Sequence, residues 1–190
     1  MRATFLDYDR DNDLDALLIV NPTDSVFQVD VVKPRKTNGQ SSSTDVLLRN
    51  EGGKFVDVSR EAGILMEGQS LGVAVTDINQ DNWPDIYISN DFIGNDVLYI
   101  NQQDGTGRHS RFQDQAQDYF KHTSYVGMGN DAADFNNDGL VDIIELDMRP
   151  EDNFRRKLIL PGTNYERFST RVSASIYPQH LAVEPGRWSL

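Results

Sequence analysis

Short apolar runs between polar turns recur along the chain, and this pattern predicts β-strands. Three of the runs are rich in β-branched and aromatic residues, which favour extended backbone. They are Ala16-Leu-Leu-Ile-Val20, Ile86-Tyr-Ile-Ser89 and Ile143-Ile-Glu-Leu146. Each run follows a shorter apolar or small-residue segment, at residues 3–6, 72–76 and 129–133, across an acidic loop. The pattern therefore predicts pairs of strands joined by acidic loops, and an all-β fold class.

A second pair of predicted strands lies downstream of the first pair and is itself repeated. Residues 45–50, Asp-Val-Leu-Leu-Arg-Asn, are echoed by residues 96–101, Asp-Val-Leu-Tyr-Ile-Asn. After a glycine-containing turn, residues 54–57 are echoed by residues 111–114. One unit is thus strand, acidic loop, strand, variable connection, strand, glycine turn and strand. Such a unit of short antiparallel strands is typical of one blade of a β-propeller.

The repeated units set the predicted domain boundaries. Residues 1–148 are predicted to form a partial propeller of about two and a half four-stranded blades. The predicted blades span about 1–60, 70–116 and 126–148. The Ser-rich stretch at 33–44 is interpreted as an excursion within the first blade. Residues 149–190 are predicted to be irregular, partly helical or a truncated further blade.

The acidic loops between the first two strands of each unit follow one pattern, D-x-[DN]-x-D-[GN]-x-x-D. The pattern occurs at residues 7–15, 77–85 and 134–142, which are called loops 1, 2 and 3 below. The three copies begin 70 and 57 residues apart. Recurrence of one loop in one register indicates a repeated supersecondary unit with insertions between the copies.

Oxygen-bearing side chains at this spacing favour a calcium ion. Calcium takes roughly six to eight oxygen ligands in irregular geometry, and carboxylates crowded into one short loop repel one another without a cation. We predict ligands from the side chains at positions 1, 3, 5 and 9 and from the backbone carbonyl at position 7. The predicted ligands are Asp7, Asp9, Asp11, Asp13 and Asp15 in loop 1, Asp77, Asn79, Asp81, Trp83 and Asp85 in loop 2, and Asp134, Asn136, Asp138, Leu140 and Asp142 in loop 3. The prediction is about three Ca²⁺ ions, with no catalytic residues and no organic cofactor.

The turn inside each loop is predicted at position 6. That position holds Asn12, Asn82 and Gly139 in the three loops. Glycine and asparagine adopt positive φ at the least steric cost. The sequence therefore predicts left-handed backbone at this position.

Composition fits cation binding and excludes other classes of function. Asp and Glu number 30 against 18 Lys and Arg, for a formal charge of −12. Nucleic-acid binding is excluded because it requires clustered basic side chains. The chain has no cysteine, which excludes thiolate metal sites. No run approaches the roughly 20 apolar residues of a membrane span.

The residues around the loops resemble a known family, the FG-GAP/VCBS repeat, and more closely the cartilage acidic protein and ASPIC/UnbV-type proteins. The resemblance rests on the three loops, the strand at 95–101, the turn at 52–59, the segment at 61–64 and two downstream stretches at 150–158 and 164–167. It implies an integrin-α-type β-propeller of which this chain is a part, exported to an extracellular, cell-surface or periplasmic location. It also implies a recognition or adhesion role with a protein or carbohydrate ligand, and no enzymatic activity.

Two alternatives remain open from the residues. One is an accessory domain of an exported enzyme that acts on polysaccharide; a catalytic pair would then need an acid outside the loops, such as Glu61, Glu67, Asp91 or Glu145.

The other alternative is an EF-hand-like calcium sensor. Glu145 occupies position 12 counted from the start of loop 3, but the same position holds Leu18 and Ile88 in loops 1 and 2. Gly127 and Gly129 lie where the entering helix would run and disfavour a helix. The same glycines fit a dinucleotide-binding fingerprint by letters, but they lead into an acidic loop and a strand, so they are interpreted as positions of close backbone packing.

Overall fold

A computed structural model describes residues 2–21, 35–91, 95–103, 110–124 and 127–147. In these ranges the chain forms ten strands and one short helix. The elements are β1 (Arg2–Leu6), β2 (Asp15–Ile19), β3 (Val46–Asn50), β4 (Phe55–Asp57), β5 (Ser70–Thr76), β6 (Asp85–Asn90), β7 (Val97–Asn101), β8 (Phe112–Asp114), α1 (Ala116–Tyr119), β9 (Gly127–Ala133) and β10 (Asp142–Asp147). The predicted all-β fold class is confirmed. The prediction for residues 149–190 lies outside the described residues.

The strands form three antiparallel sheets in chain order. The first sheet has the order β1-β2-β3-β4, the second has β5-β6-β7-β8, and the described part of the third pairs β10 with β9. In the first two sheets, neighbouring strands are consecutive in the chain and pair antiparallel. The number of propeller blades and the domain boundaries remain predictions.

Each acidic loop connects the first two strands of its sheet in the same register. The last residue before the loop pairs with position 9 of the loop in every case. The pairs are Leu6 with Asp15, Thr76 with Asp85, and Ala133 with Asp142. The three loops therefore begin and end at equivalent points of three equivalent hairpins.

The larger apolar core lies between the first and second sheets. Leu17 and Ile19 of β2 face Ile86 and Ile88 of β6, and all four side chains are buried. They alternate along each strand because successive side chains of a strand point to opposite faces. Burying each such side chain contributes about 1.5–3 kcal/mol, so this contact holds the first two sheets together.

The opposite face of the second sheet is covered as well. Tyr87 and Leu98 pack with Ala116 of α1 and with Ile143 of the third sheet. All residues of β6 and β7 are consequently buried. These two strands are the centre of the described structure.

Glycines permit close contact between the second and third sheets. A Cβ atom added to Gly72 would lie 2.8 Å from Cα of Gly129, and one added to Gly127 would clash with Oε1 of Glu145. The predicted close packing is confirmed at Gly127, whereas a Cβ atom added to Gly129 itself would meet nothing within 4 Å. Strands β9 and β10 flank loop 3, whereas an EF-hand needs helices there. The EF-hand alternative is therefore wrong for this loop.

Candidate metal centres

Two backbone positions in each acidic loop adopt left-handed conformation. Positions 4 and 6 have φ values of 59° and 73° (Arg10, Asn12), 62° and 68° (Gln80, Asn82), and 60° and 84° (Asn137, Gly139). The prediction for position 6 is confirmed. Position 4 was missed in loops 1 and 2 because Arg and Gln give no turn signal, and left-handed backbone costs such residues about 1–2 kcal/mol. In loop 3 the Asn at this position is such a signal. The conformation is thus common to all three loops whatever the residue type.

Backbone N–H groups hold the carboxylates at positions 1 and 5 in every loop. The position-1 Oδ2 accepts the N–H of position 6 at 3.1 Å (Asp7, Asn12), 2.7 Å (Asp77, Asn82) and 2.9 Å (Asp134, Gly139). The position-5 Oδ1 accepts the N–H of position 7 at 2.8 Å (Asp11, Asp13), 2.8 Å (Asp81, Trp83) and 2.9 Å (Asp138, Leu140). A carboxylate can accept about four hydrogen bonds. Lone pairs therefore remain on these groups for a cation.

The position-9 carboxylate ties each loop to its sheet. Its Oδ2 accepts the N–H of position 2 at 3.2 Å (Asp15, Tyr8), 2.9 Å (Asp85, Ile78) and 3.0 Å (Asp142, Phe135). In the first two sheets its Oδ1 also accepts the N–H at the end of the third strand, at 2.8 Å (Asn50) and 2.9 Å (Asn101). Asp15 and Asp85 are fully buried. Position 9 is thus the point where loop, second strand and third strand meet.

Three carboxylates converge in loop 1. One oxygen from each of Asp7, Asp9 and Asp15 lies within 4.8 Å of the others. Asp9 is only 4% exposed, and Oδ1 of Asp7 and Oδ1 of Asp9 are buried without a hydrogen-bond partner. An unsatisfied buried acceptor costs about 1–3 kcal/mol. Oxygen atoms of this kind are the ligands that a hard divalent cation such as Ca²⁺ prefers, so the residues present fit that ion.

Burial changes the proton affinity of these acids. Burial, followed by the charge of Asp11, raises the pKa of Asp9 above its usual range. Burial raises the pKa of Asp15 to about 6, against the N–H groups that favour its ionised form. Burial also raises the pKa of Asp85 in loop 2. Each shift has the same physical cause, the loss of water around a carboxylate.

Loops 2 and 3 satisfy their own oxygens more completely than loop 1. Their position-5 N–H donates to Oδ1 of both position 1 and position 3. The distances are 3.0 and 3.1 Å in loop 2 (Asp81 to Asp77 and Asn79) and 3.1 and 2.8 Å in loop 3 (Asp138 to Asp134 and Asn136). Position 3 is a neutral Asn in both loops. The oxygens that are unpaired in loop 1 thus have a donor in loops 2 and 3.

The predicted carbonyl ligands sit at position 7, beside the position-5 carboxylates. Asp13, Trp83 and Leu140 direct their N–H groups to position 5, as described above, and their carbonyls as ligands remain a prediction. Trp83 also lies under the guanidinium of Arg10, with Cζ 5.3 Å from the ring centroid. This stacking joins loop 1 to loop 2.

Two asparagines that hold position 9 were missed as parts of the site. Asn50 and Asn101 end β3 and β7 and donate their N–H groups to Asp15 and Asp85. The sequence does carry a signal, because both close the repeated stretches at 45–50 and 96–101. The repeat predicted the strands, but it did not link their last residues to the loops.

Two of the acids considered for catalysis have structural partners. Glu67 accepts hydrogen bonds from the N–H of Lys36 at 2.8 Å and from the hydroxyl of Ser41. Oε2 of Glu145 lies 3.0 Å from the Tyr87 hydroxyl, which is 3.1 Å from Oδ2 of Asp96. Burial, followed by the charge of Asp96, raises the pKa of Glu145 to about 9. Glu145 therefore lies at the contact between the second and third sheets and points away from loop 3.

Comparison with protein families adds one match. An FG-GAP-like repeat is found at residues 77–144, from the first acid of loop 2 to the start of β10. The match covers less than half of the chain. It supports the FG-GAP part of the resemblance, whereas the closer assignment to the ASPIC/UnbV type is not supported. FG-GAP repeats are typical of extracellular or periplasmic proteins. A search of the curated proteins gives no significant match.

Within the described part of the chain, no helix has the length and apolarity that a membrane crossing requires.

Proposed function

We propose that the chain is a calcium-binding module of β-propeller type, in which each sheet is one blade and the three loops hold about three structural Ca²⁺ ions. The observation that carries the proposal is the convergence of Asp7, Asp9 and Asp15, with two buried oxygens that have no hydrogen-bond donor. The repetition of the same N–H network in loops 2 and 3 extends it to these loops.

A bound ion would supply positive charge between carboxylates that otherwise repel one another. The chain's own part is to orient those carboxylates through the N–H groups of positions 2, 6 and 7. Because position 9 is also hydrogen-bonded to β3 or β7, a loop fixed by an ion fixes three strands of its sheet. Binding to the folded state alone stabilises that state by mass action. The role of the ion is therefore structural.

The proposed biological role is recognition of a protein or carbohydrate outside the cytoplasm, without catalysis. Millimolar calcium there would saturate sites with dissociation constants of roughly 10⁻⁴–10⁻³ M. The typical location of FG-GAP repeats agrees with such sites. The partners of Glu67 and Glu145 described above also support a structural rather than a catalytic use of these two acids.

Calorimetry on the whole chain tests the proposal. We expect about three ions per chain and a melting temperature that rises by about 5 °C or more in calcium relative to EDTA. Combined Asp11→Ala, Asp81→Ala and Asp138→Ala substitutions should abolish both effects. A control with the same loss of charge is Glu51→Ala, Asp118→Ala and Asp131→Ala, three exposed acids outside the loops. Absence of calcium binding by the folded parent chain would remove the proposal.

A further inference from the structure

A single buried side chain contacts the backbones of loops 1 and 2. Asn101 is 1% exposed, and its Nδ2 donates to the carbonyl of Tyr8 at 2.9 Å and to that of Pro84 at 3.4 Å. Its own N–H donates to Oδ1 of Asp85 at 2.9 Å. Tyr8 is position 2 of loop 1, and Pro84 and Asp85 are positions 8 and 9 of loop 2.

These contacts place Asn101 between predicted ligands of both loops. Tyr8 lies between Asp7 and Asp9, and its N–H is held by Asp15. A shift of Asp85 toward an ion in loop 2 would move the backbone of Asn101, since the two are hydrogen-bonded. The amide of Asn101 would then pull on the carbonyl of Tyr8. Asn101 and Tyr8 are buried among packed side chains. Because a close-packed interior transmits small displacements, a shift at Asn101 would reach the backbone of Tyr8.

Two weaker contacts at the surface also connect each loop to the next one along the chain. The guanidinium of Arg10, at position 4 of loop 1, stacks on Trp83 of loop 2. Nε2 of Gln80, at position 4 of loop 2, donates to the carbonyl of Gly139 in loop 3 at 3.0 Å. In loops 1 and 2, the residue at position 4 has left-handed backbone and its side chain contacts the next loop.

From this arrangement we infer that Asn101 couples the calcium sites of loops 1 and 2, so that an ion in one loop raises the affinity of the other. The inference rests on the proposed function, because it concerns how the sites act on each other. Coupling between sites requires a physical connection whose arrangement both ligands bias. Asn101 is that connection.

Asn50 provides a matched control for Asn101. It ends β3 as Asn101 ends β7, and its N–H holds Asp15 at 2.8 Å as that of Asn101 holds Asp85. The Oδ1 of Asn50 accepts the N–H of Gly53 at 2.7 Å, a contact within the first sheet. Asn50→Ala therefore removes an equivalent side chain that has this local partner instead of a carbonyl of the neighbouring loop.

The experiment compares calcium binding by chains with one or two active loops. All chains carry Asp138→Ala to silence loop 3, and Asp11→Ala or Asp81→Ala silences loop 1 or loop 2. Calorimetry gives the product of the two association constants when both loops are active. The coupling ratio is this product divided by the product of the two association constants that are measured separately in the chains with one active loop. We expect a ratio of about five or more, which falls to about one with Asn101→Ala and is unchanged with Asn50→Ala.

The outcomes separate this inference from the proposed function. A ratio of about one in the parent background, or a ratio unaffected by Asn101→Ala, overturns the coupling while calcium binding itself persists. No binding in any of the folded chains overturns the proposed function and the coupling with it. If Asn101→Ala does not fold by circular dichroism, Asn101→Ser replaces it. This variant keeps a hydroxyl donor too short to reach both carbonyls, and it should also lower the ratio. A ratio that it leaves unchanged overturns the role of Asn101.

Discussion

Loops 1 and 2 share a hairpin register and a hydrogen-bond network, yet they differ at position 3. In loop 2, Asn79 accepts the N–H of Asp81 at 3.1 Å and donates its Nδ2 to Oδ2 of the same residue at 3.0 Å. In loop 1, Asp9 occupies this position with a buried oxygen that has no donor. The neutral amide of Asn79 thus completes the hydrogen bonding of loop 2, whereas the carboxylate of Asp9 leaves a buried acceptor of loop 1 without a donor.

Under the proposed function, this difference predicts two levels of dependence on a cation within one loop motif. Loop 1 has five acids against three in loop 2, and Asp9 is buried whereas Asn79 is exposed. Under the proposed function, the folded form of loop 1 should therefore gain more from an ion. Loop 2 can hold its shape through hydrogen bonds. We therefore expect loop 1 to bind calcium more tightly and loop 2 to lose less order in EDTA.

The largest effect is expected where the two loops are alike, at position 9. Asp15→Ala leaves the N–H groups of Tyr8 and Asn50 without their acceptor in a buried setting, and Asp85→Ala does the same to Ile78 and Asn101. Each orphaned donor costs about 1–3 kcal/mol, so each variant should lose about 3 kcal/mol of unfolding free energy. Urea unfolding in EDTA measures this loss without any contribution from calcium.

The control for position 9 is Asp11→Ala, which removes an exposed acid whose Oδ1 accepts the N–H of Asp13 at 2.8 Å. Its loss in EDTA should be much smaller. If Asp15→Ala and Asp85→Ala differ strongly in EDTA, the two loops are not equivalent at position 9. The difference at position 3 could then not be compared between the two loops, because the comparison assumes that position 9 is equivalent in both.

An exchange at position 3 tests the difference directly. Asp9→Asn should make loop 1 resemble loop 2, because it removes one charge and supplies an amide donor. We expect about a tenfold loss of calcium affinity in loop 1, since affinity follows the number of charged ligands. Asn79→Asp should have the opposite effect in loop 2. Calorimetry on chains with the other loops silenced gives both affinities.

The two exchanges control each other, because they change the net charge by equal and opposite amounts. Stability in EDTA should rise with Asp9→Asn and fall with Asn79→Asp. If both exchanges weaken calcium binding, position 3 is selected for shape and not for charge. The explanation of the unpaired Asp9 oxygen would then be wrong.

Several elements of this comparison could be predicted from the sequence. The apolar runs 16–20 and 86–89 indicated β2 and β6, and the repeated acidic pattern indicated loops in one register, because both signals are local. The Asn at position 6 indicated left-handed backbone for the same reason. Each of these features depends on residues that lie close together in the chain.

Features that depend on distant residues could not be predicted. Asn101 contacts Tyr8 across 93 positions of the chain, and no local pattern reveals such a pair. Glu145 fitted position 12 of an EF-hand by its spacing, but the alternation of β10 places it on the same face as Ile143, toward the second sheet. The spacing of residues made Glu145 a candidate ligand of loop 3, but the geometry of β10 directs its side chain to the second sheet.

A carboxyl outside both loops gives a further prediction, which concerns pH instead of calcium. The folded chain raises the pKa of Glu145 from an ordinary value of 4.5 to about 9, through burial and then the charge of Asp96. Burial raises the pKa of Asp96 as well, to about 6. The folded state therefore binds these protons more tightly than the unfolded state. Their contribution to stability is complete below the unfolded pKa values and is lost as pH rises through the folded ones.

Glu145→Gln keeps the shape of the side chain and fixes it in a neutral form. In EDTA, the free energy of unfolding should fall less between pH 5 and pH 9 for this variant than for the parent chain. This range lies between the ordinary pKa of Glu145 and its raised value in the folded chain. Glu67→Gln is the control. Burial opposes the ionisation of Glu67, but the Ser41 hydroxyl and Lys36 hold its pKa below the usual range, so its charge does not change in that window. If Glu145→Gln leaves the pH profile unchanged, ionisation of Glu145 does not weaken the contact between the second and third sheets.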